Sequence, residues 1–187
     1  MTTKTLRTGS HLLGCSCLIV FTVCSEVFGQ VFLSQQEALR LAFPTASTLE
    51  RETVFLTDPQ VRAIESKSRS RVESRVVTYY VAKDSSAVLG YAFFDRQTVR
   101  TMPATYMAVV APDTSIQRVE ILAFEEPEDY LPPWRWLSQF DGKSLNDELW
   151  VKRDIPNLSG ATISAYTITA GLRRILATFA EAIPKEK

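Results

Sequence analysis

The sequence predicts an α+β fold: a curved antiparallel sheet with two short N-terminal helices and one long C-terminal helix packed on it. Segments rich in β-branched and aromatic residues follow one another with short turns between them, which is typical of antiparallel strands. Helix-start signals precede two short apolar segments early in the chain. The last long segment repeats apolar residues at helical spacing, which predicts a helix with one buried face.

The first 29 residues have the pattern of a secretion signal. Lys4 and Arg7 precede an apolar segment over residues 12–23, and Gly29 is a small residue ahead of Gln30. The apolar segment is shorter than the roughly 20 residues that a membrane-spanning helix needs. We therefore predict residues 1–29 as a signal peptide, cleaved rather than retained as an anchor, and residues 30–187 as a single exported domain.

Removal of the signal changes which chemistry the chain can perform. Cys15, Cys17, Cys24 and His11 all precede residue 30, so the remaining 158 residues contain neither cysteine nor histidine. Thiolate nucleophiles, Cys/His metal sites and Ser-His-Asp triads are thereby excluded, and no metal site is predicted. Nineteen basic and twenty acidic residues nearly cancel, which makes nucleic acid an unexpected partner. A redox function would need a bound organic cofactor.

The N-terminal third of the exported part predicts two short helices and a strand. Ser34 and Glu37 form a capping box for a helix over residues 38–43. A brief strand over residues 53–56 precedes a second helix over residues 57–66, which has a threonine cap and an early proline. We expect both helices on one face of the sheet and the long helix on the other.

Three or four further strands are predicted, over residues 72–82, 88–99, 105–111 and 116–124, with Gly90 at a bulge or bend. The proline-rich acidic loop over residues 125–133 is predicted to contain neither helix nor central strand. A helical turn over residues 134–140 follows it. The last helix is predicted over residues 164–179.

The most informative segment reads Ser-Gly-Ala-Thr-Ile-Ser over residues 159–164 and leads directly into the last helix. The unpaired N–H groups and the positive dipole end of a helix start attract an anion. Gly160 permits close approach of backbone, and Ser159, Thr162 and Ser164 add hydroxyls. From the residues alone, the segment is either a phosphate site or a plain helix cap.

This segment resembles the flavinylation motif of the FMN-binding domain family, which includes the periplasmic flavoprotein subunits of the Rnf and sodium-translocating NADH:quinone reductase complexes. The segment over residues 136–145, which reads Trp-Leu-Ser-Gln-Phe-Asp-Gly-Lys-Ser-Leu, is similar to the family's segment ahead of the motif. The hairpin over residues 106–124 lies where the family has strands that lead into an acidic segment. The resemblance covers roughly residues 72–179.

The resemblance implies that FMN is the cofactor and that it is attached to Thr162 through a phosphoester. In the family a separate periplasmic flavin transferase installs FMN from FAD, and the flavoprotein exchanges electrons with a membrane or periplasmic redox protein. The resemblance thereby implies that the exported domain lies in the periplasm or on the outer side of the inner membrane. The implied cofactor-binding residues are Ser159, Gly160, Ala161, Thr162, Ile163, Ser164, Tyr130, Leu131 and Trp136. Where the family usually carries an aspartate, three residues before the serine, this chain has Pro156, and Asp154 lies two residues earlier.

Since no residue after position 29 has the pattern of an independent catalyst, the sequence favours an exported FMN-binding electron carrier over an enzyme. Two alternatives stay open: a flavin-dependent reductase of a small acceptor, and a flavin-free secreted binding module whose helix cap only imitates the motif. Trp134, Trp136 and Trp150 have two interpretations, as core residues or as stacking partners of the flavin.

The charged residues near the motif also have more than one interpretation. The acidic run over residues 125–129 is predicted as a solvated loop, with cation or basic-partner binding as the alternative. Lys152 and Arg153 are the predicted cations for a phosphate or for the transferase. Arg173 and Arg174, about three turns into the last helix, are predicted to be surface charges.

Overall fold

The computed structural model describes residues 30–184, which fold around one six-stranded antiparallel sheet. The predicted signal peptide lies outside the described residues. The strand order is β1-β6-β5-β4-β3-β2, so that the sheet is open and β1 and β2 form its edges. The strands are β1 (Gln30–Val31), β2 (Thr48–Phe55), β3 (Val76–Asp84), β4 (Ala87–Thr98), β5 (Pro103–Val110) and β6 (Ile116–Phe124).

The predicted antiparallel strands are confirmed, with differences at their ends. β2 is longer than the predicted segment because it pairs with β3 over its whole length, from Thr48 opposite Lys83 to Phe55 opposite Val76. β3 starts four residues later than predicted, since the Ser74 hydroxyl bonds both the N–H and the C=O of Val76 and ends the preceding loop. A register shift in the β3–β4 pairing falls next to Gly90, as predicted.

Gly90 also allows a close approach between the sheet and the first helix, α1 (Gln35–Ala42). A Cβ at Gly90 would lie 3.1 Å from the ring of Phe43, the residue that follows α1. The predicted capping box of α1 is present, with the Ser34 N–H donating to Glu37 Oε2 at 2.9 Å. Ala38 and Leu39 pack α1 on one face of the sheet.

The second short helix, α2 (Asp58–Ser68), packs on the last helix, α4 (Thr162–Ala182), on the opposite face from α1. The expectation that both short helices share a face was therefore wrong. Ile64 of α2 lies beside Ala177 of α4, and the Gln60 side chain donates to the Glu181 carbonyl at 3.1 Å. These contacts make α2 part of the layer that α4 forms.

The long helix α4 has the predicted apolar face and lies against the sheet. It starts two residues before the predicted helix and ends three residues after it. Its Phe179 ring meets Tyr91 and Phe93 of β4 at centroid distances of 4.8 and 6.3 Å. No helix within residues 30–184 combines the length and the apolar character that crossing a membrane requires.

The loop between β6 and α4 carries three short helical segments. The predicted helical turn is present as α3 (Trp134–Leu137) and the 3₁₀ turn Ser138–Phe140. The acidic loop contains a further 3₁₀ turn over Glu128–Tyr130, so the prediction that it holds no helix was wrong for that one turn. Pro127 stands at the cap of this turn, where a missing N–H costs nothing.

Candidate functional site

The turn ahead of α4 depends on Gly160. Its φ of +85° lies in the left-handed region that side chains rarely adopt. The Ala161 N–H then donates to the Leu158 carbonyl at 3.1 Å, and the helix begins at Thr162. Because Ala161 caps the helix without a side-chain oxygen, no capping side chain accepts from the N–H groups of the first turn. These groups can donate to an anion.

The Thr162 hydroxyl is oriented by two contacts at the start of α4. Its Oγ1 donates to the Leu158 carbonyl and accepts from Asn157 Nδ2, each at 3.3 Å. Both contacts are long for hydrogen bonds that involve a hydroxyl, so they hold it weakly. Thr162 is half-buried, so part of this residue is accessible from outside the protein.

The two serines of the motif differ from Thr162, and from each other, in their surroundings. Ser164 is buried, and its hydroxyl donates to the Tyr130 carbonyl at 2.6 Å, which ties the acidic loop to the first turn of α4. Ser159 is exposed at the outer side of the turn. Of the motif's three hydroxyls, that of Thr162 combines partial access with orientation by neighbouring groups.

A hollow of about 210 Å³ opens at this helix start. It is lined by Arg100, Tyr130, Gly160, Ala161, Thr162, Ile163 and Ser164. The structure thus brings together six of the predicted site residues. Leu131 lines a neighbouring hollow of about 160 Å³ with Phe32 and Phe124 instead.

Arg100 is the residue of this hollow that the sequence analysis missed. Its guanidinium carbon lies 4.6 Å from the centroid of the Tyr130 ring. Arg100 lies in the turn between β4 and β5, thirty positions before Tyr130. A contact between residues so far apart in the chain cannot be predicted from the spacing of neighbouring residues. The cations predicted instead do not line the hollow: Lys152 is exposed, and Arg153 bonds Glu148.

A buried carboxylate holds the turn that carries Arg100. Glu126 Oε1 accepts the N–H groups of Arg100, Thr101 and Met102 at 2.9, 2.6 and 2.9 Å. These bonds keep the pKa of Glu126 below its ordinary value. The prediction of a solvated acidic run was therefore wrong at Glu126. Glu125 pairs with Arg96, and no group within residues 30–184 gathers three potential ligands for a metal ion.

The tryptophans divide between core and surface. Trp136 is 4% exposed, packs edge-on against Phe140 and donates from Nε1 to the Pro156 carbonyl at 2.8 Å. It supports the loop ahead of the motif, and its contact with a flavin stays a prediction. Trp150 packs near Tyr166 and Arg173, whereas Trp134 is exposed.

The side chain that donates to the Thr162 hydroxyl comes from Asn157, the residue after Pro156. Asp154 lies in a turn and faces Lys143 at 3.9 Å. Pro156 contributes its carbonyl to Trp136. A neutral amide, and no carboxylate, is therefore hydrogen-bonded to the Thr162 hydroxyl among the described residues.

Arg173 and Arg174 are not surface charges, so that prediction was wrong. Arg173 is buried and donates to the carbonyls of Lys67, Ser68, Asn146 and Leu149 at 2.6–3.1 Å. Arg174 donates to Asp95 at 2.8 Å. Both side chains join α4 to the rest of the fold rather than to solvent.

A larger hollow of about 280 Å³ lies where β3 and β4 separate beyond the pair Tyr79–Phe93. Its charged residues include Asp95 and Arg174, which pair with each other, and the buried Tyr106 hydroxyl donates to Asp95 at 2.7 Å. The pKa of Tyr106 is raised well above its ordinary value, chiefly by burial and secondly by the nearby Asp95 carboxylate. This hollow shares no lining residue with the one at Thr162.

Comparison with known proteins gives likenesses among solved structures. No protein-family model matches the chain, and no curated protein sequence matches it. The crystal structure of Shewanella oneidensis NqrC is similar over 79% of this chain and 84% of that one, with 16% identity and a TM-score of 0.48. A likeness at this level does not establish a family for the chain.

Proposed function

We propose that the protein is an exported FMN-binding electron carrier in which FMN is attached through a phosphoester to Thr162. The observation that carries the proposal is the half-buried Thr162 hydroxyl, placed at an uncapped helix start in a hollow that Arg100 and Tyr130 also line. The donor set suits a phosphate monoester, because N–H groups, a hydroxyl and a guanidinium meet there and no carboxylate lines the hollow.

Each residue of the hollow has a defined part in this proposal. The first-turn N–H groups and Arg100 neutralise the phosphate, and Thr162 Oγ1 is the point of attachment. Tyr130 and the half-exposed Ile163 offer apolar contact beside it. FMN itself would supply the redox chemistry, accepting one or two electrons in its ring system.

Attachment requires a phosphoryl transfer. The bond from Thr162 Oγ1 to the FMN phosphorus forms, the bond from that phosphorus to AMP in FAD breaks, and the hydroxyl proton is lost. Nothing in the hollow is a general base, since its lining residues include no carboxylate and residues 30–187 include no histidine. A separate flavin transferase is therefore the expected source of that base, and the flavin's electrons are expected to pass to a membrane or periplasmic redox protein.

The proposal is tested by the intact mass of the exported protein after co-expression with a flavin transferase. The wild type should gain the mass of one FMN less water and turn yellow, and Thr162→Ala should gain nothing. Thr167→Ala removes a threonine further along the same helix and should keep the full gain.

Other outcomes select the alternatives. Yellow protein without the mass gain would mean FMN bound without the covalent bond. Saturable reoxidation of the reduced protein by a small acceptor would favour the reductase. Folded, colourless and unmodified protein, with the transferase active on a control substrate, would leave the flavin-free binding module.

A further inference from the structure

We propose that Arg100 makes the site selective for phosphorylated flavin over riboflavin, and that Glu126 is the positioning residue that holds Arg100 there. This inference rests on the proposed function, since it concerns the same hollow. It assigns a role to two residues that no motif contains.

The first step is the rigidity of the turn that carries Arg100. Three successive N–H groups converge on one oxygen of Glu126, whose side chain is buried, and the Thr101 hydroxyl donates to the same oxygen at 3.3 Å. The Val99 N–H closes the turn by donating to the Met102 carbonyl at 3.0 Å. Such a nest of N–H groups around an anion fixes the backbone direction at its first residue.

The second step is that the guanidinium and the helix start are held by separate restraints. The Tyr130 ring lies beneath the Arg100 guanidinium, while the Tyr130 carbonyl is bonded to the buried Ser164 hydroxyl. The segment between Glu126 and Tyr130 therefore connects the Arg100 turn at one end with α4 at the other. Neither link requires a ligand to be present.

The third step is electrostatic. These restraints place the guanidinium of Arg100, an exposed residue, and the positive end of α4 on the same hollow, where both attract an anion. Within residues 30–184 Arg100 forms no ion pair, whereas Arg96 pairs with Glu125 and Arg174 pairs with Asp95. An anion bound in the hollow would therefore interact with both the guanidinium and the helix start.

A phosphate monoester supplies that anion, with about two negative charges at neutral pH. Riboflavin has the same ring system and ribityl chain but no phosphate, so it gains nothing from Arg100. The two flavins therefore separate the contribution of the guanidinium from that of ring contacts.

The test measures the affinity of FMN and of riboflavin for the apoprotein without a transferase, by quenching of flavin fluorescence. We expect wild type to bind FMN about tenfold or more tightly than riboflavin, which corresponds to one charge-assisted interaction. Arg100→Gln should lose that preference and keep its riboflavin affinity. Arg96→Gln, the matched control four residues earlier near the end of β4, should keep the preference.

Glu126→Gln tests the positioning role. It should lower the ratio of FMN to riboflavin affinity even at a temperature where the variant is fully folded. A purely structural role would lower the melting temperature and leave that ratio unchanged.

Three results would overturn the inference. If Arg100→Gln lost affinity for FMN and riboflavin equally, the Arg100 side chain would only pack beside the flavin ring. If Arg100→Gln kept its FMN affinity, Arg100 would have no role in binding the phosphate. Equal binding of both flavins by wild type would overturn the selectivity while the proposed function stands. No binding of either flavin, together with no mass gain, would refute both.

Discussion

The two ends of α4 have opposite surroundings. Through its C-terminal half Leu172, Leu176 and Phe179 are buried against the sheet, and Arg173 and Arg174 bond neighbouring segments. At its N-terminal end Thr162 is half-buried and Ile163 half-exposed, both beside a hollow. One helix therefore combines a buried anchor with an accessible start.

This difference suggests a division of labour. The packed end holds the helix against the sheet, so that the open end can present a hydroxyl and unpaired N–H groups without having to stabilise the fold. Substitutions at the packed end should lower the free energy of unfolding, and substitutions at the open end should alter ligand attachment with little effect on it.

The largest loss of stability is expected from Arg173→Met. The substitution keeps the apolar stem but leaves four buried or partly buried carbonyls without their donor. We expect the free energy of unfolding in urea to fall by about 3 kcal/mol or more. Arg62→Met, at an exposed position of α2, is the control and should change it by less than about 0.5 kcal/mol. A similarly small change for Arg173→Met would contradict the claim that Arg173 anchors α4 to the rest of the fold.

Gly171→Ala tests how closely α4 approaches the sheet. A Cβ there would lie 1.9 Å from the Tyr106 hydroxyl, so the helix or the ring has to move. We expect a loss of about 1–3 kcal/mol in unfolding free energy. In the background of Tyr106→Phe the same substitution should cost less, because the hydroxyl is gone. Additive effects in this double-mutant cycle would show that the contact is unimportant.

Glu126 should make stability depend on pH in the acid range. Its pKa is lower in the folded protein than the ordinary 4.5, chiefly because backbone N–H groups bond the carboxylate. Its stabilisation is therefore fully present above pH 4.5 and is lost as the pH falls through the folded value. The stability difference between wild type and Glu126→Gln, about 1–3 kcal/mol at neutral pH, should shrink on acidification in urea titrations at pH 7, 5 and 3. A constant difference would contradict this.

The smallest effect on stability is expected at the open end. Thr162→Ala removes two long contacts of a half-buried hydroxyl and should change the unfolding free energy by less than about 0.5 kcal/mol. Thermal unfolding of the unmodified proteins measures it. A loss comparable to that of Gly171→Ala would mean that both ends of α4 support the fold.

Local patterns in the sequence predicted the parts of the fold that depend on neighbouring residues. The Ser34 capping box, the antiparallel strands, the turn at Gly160 and the apolar face of α4 all follow from spacings of a few residues. The extent of β2 could not be predicted in this way, because its polar, exposed residues gain order by pairing with β3.

Within the candidate site, the sequence identified the helix start but not the charges around it. Arg100 reaches Tyr130, and Arg173 reaches carbonyls more than twenty positions away, so their roles depend on the folded arrangement. Glu126 lies in an acidic run that composition alone describes as solvated. Burial of a charge becomes predictable only when its partners are known.

The most direct test of the account is fragmentation of the tryptic peptide that covers residues 154–173, taken from protein co-expressed with a flavin transferase. This peptide contains the motif and the hydroxyls of Ser159, Thr162, Ser164, Tyr166, Thr167 and Thr169. The account predicts FMN, less one water, on Thr162 alone. An unmodified peptide from protein exposed to an active transferase, or flavin on another of these hydroxyls, would contradict it.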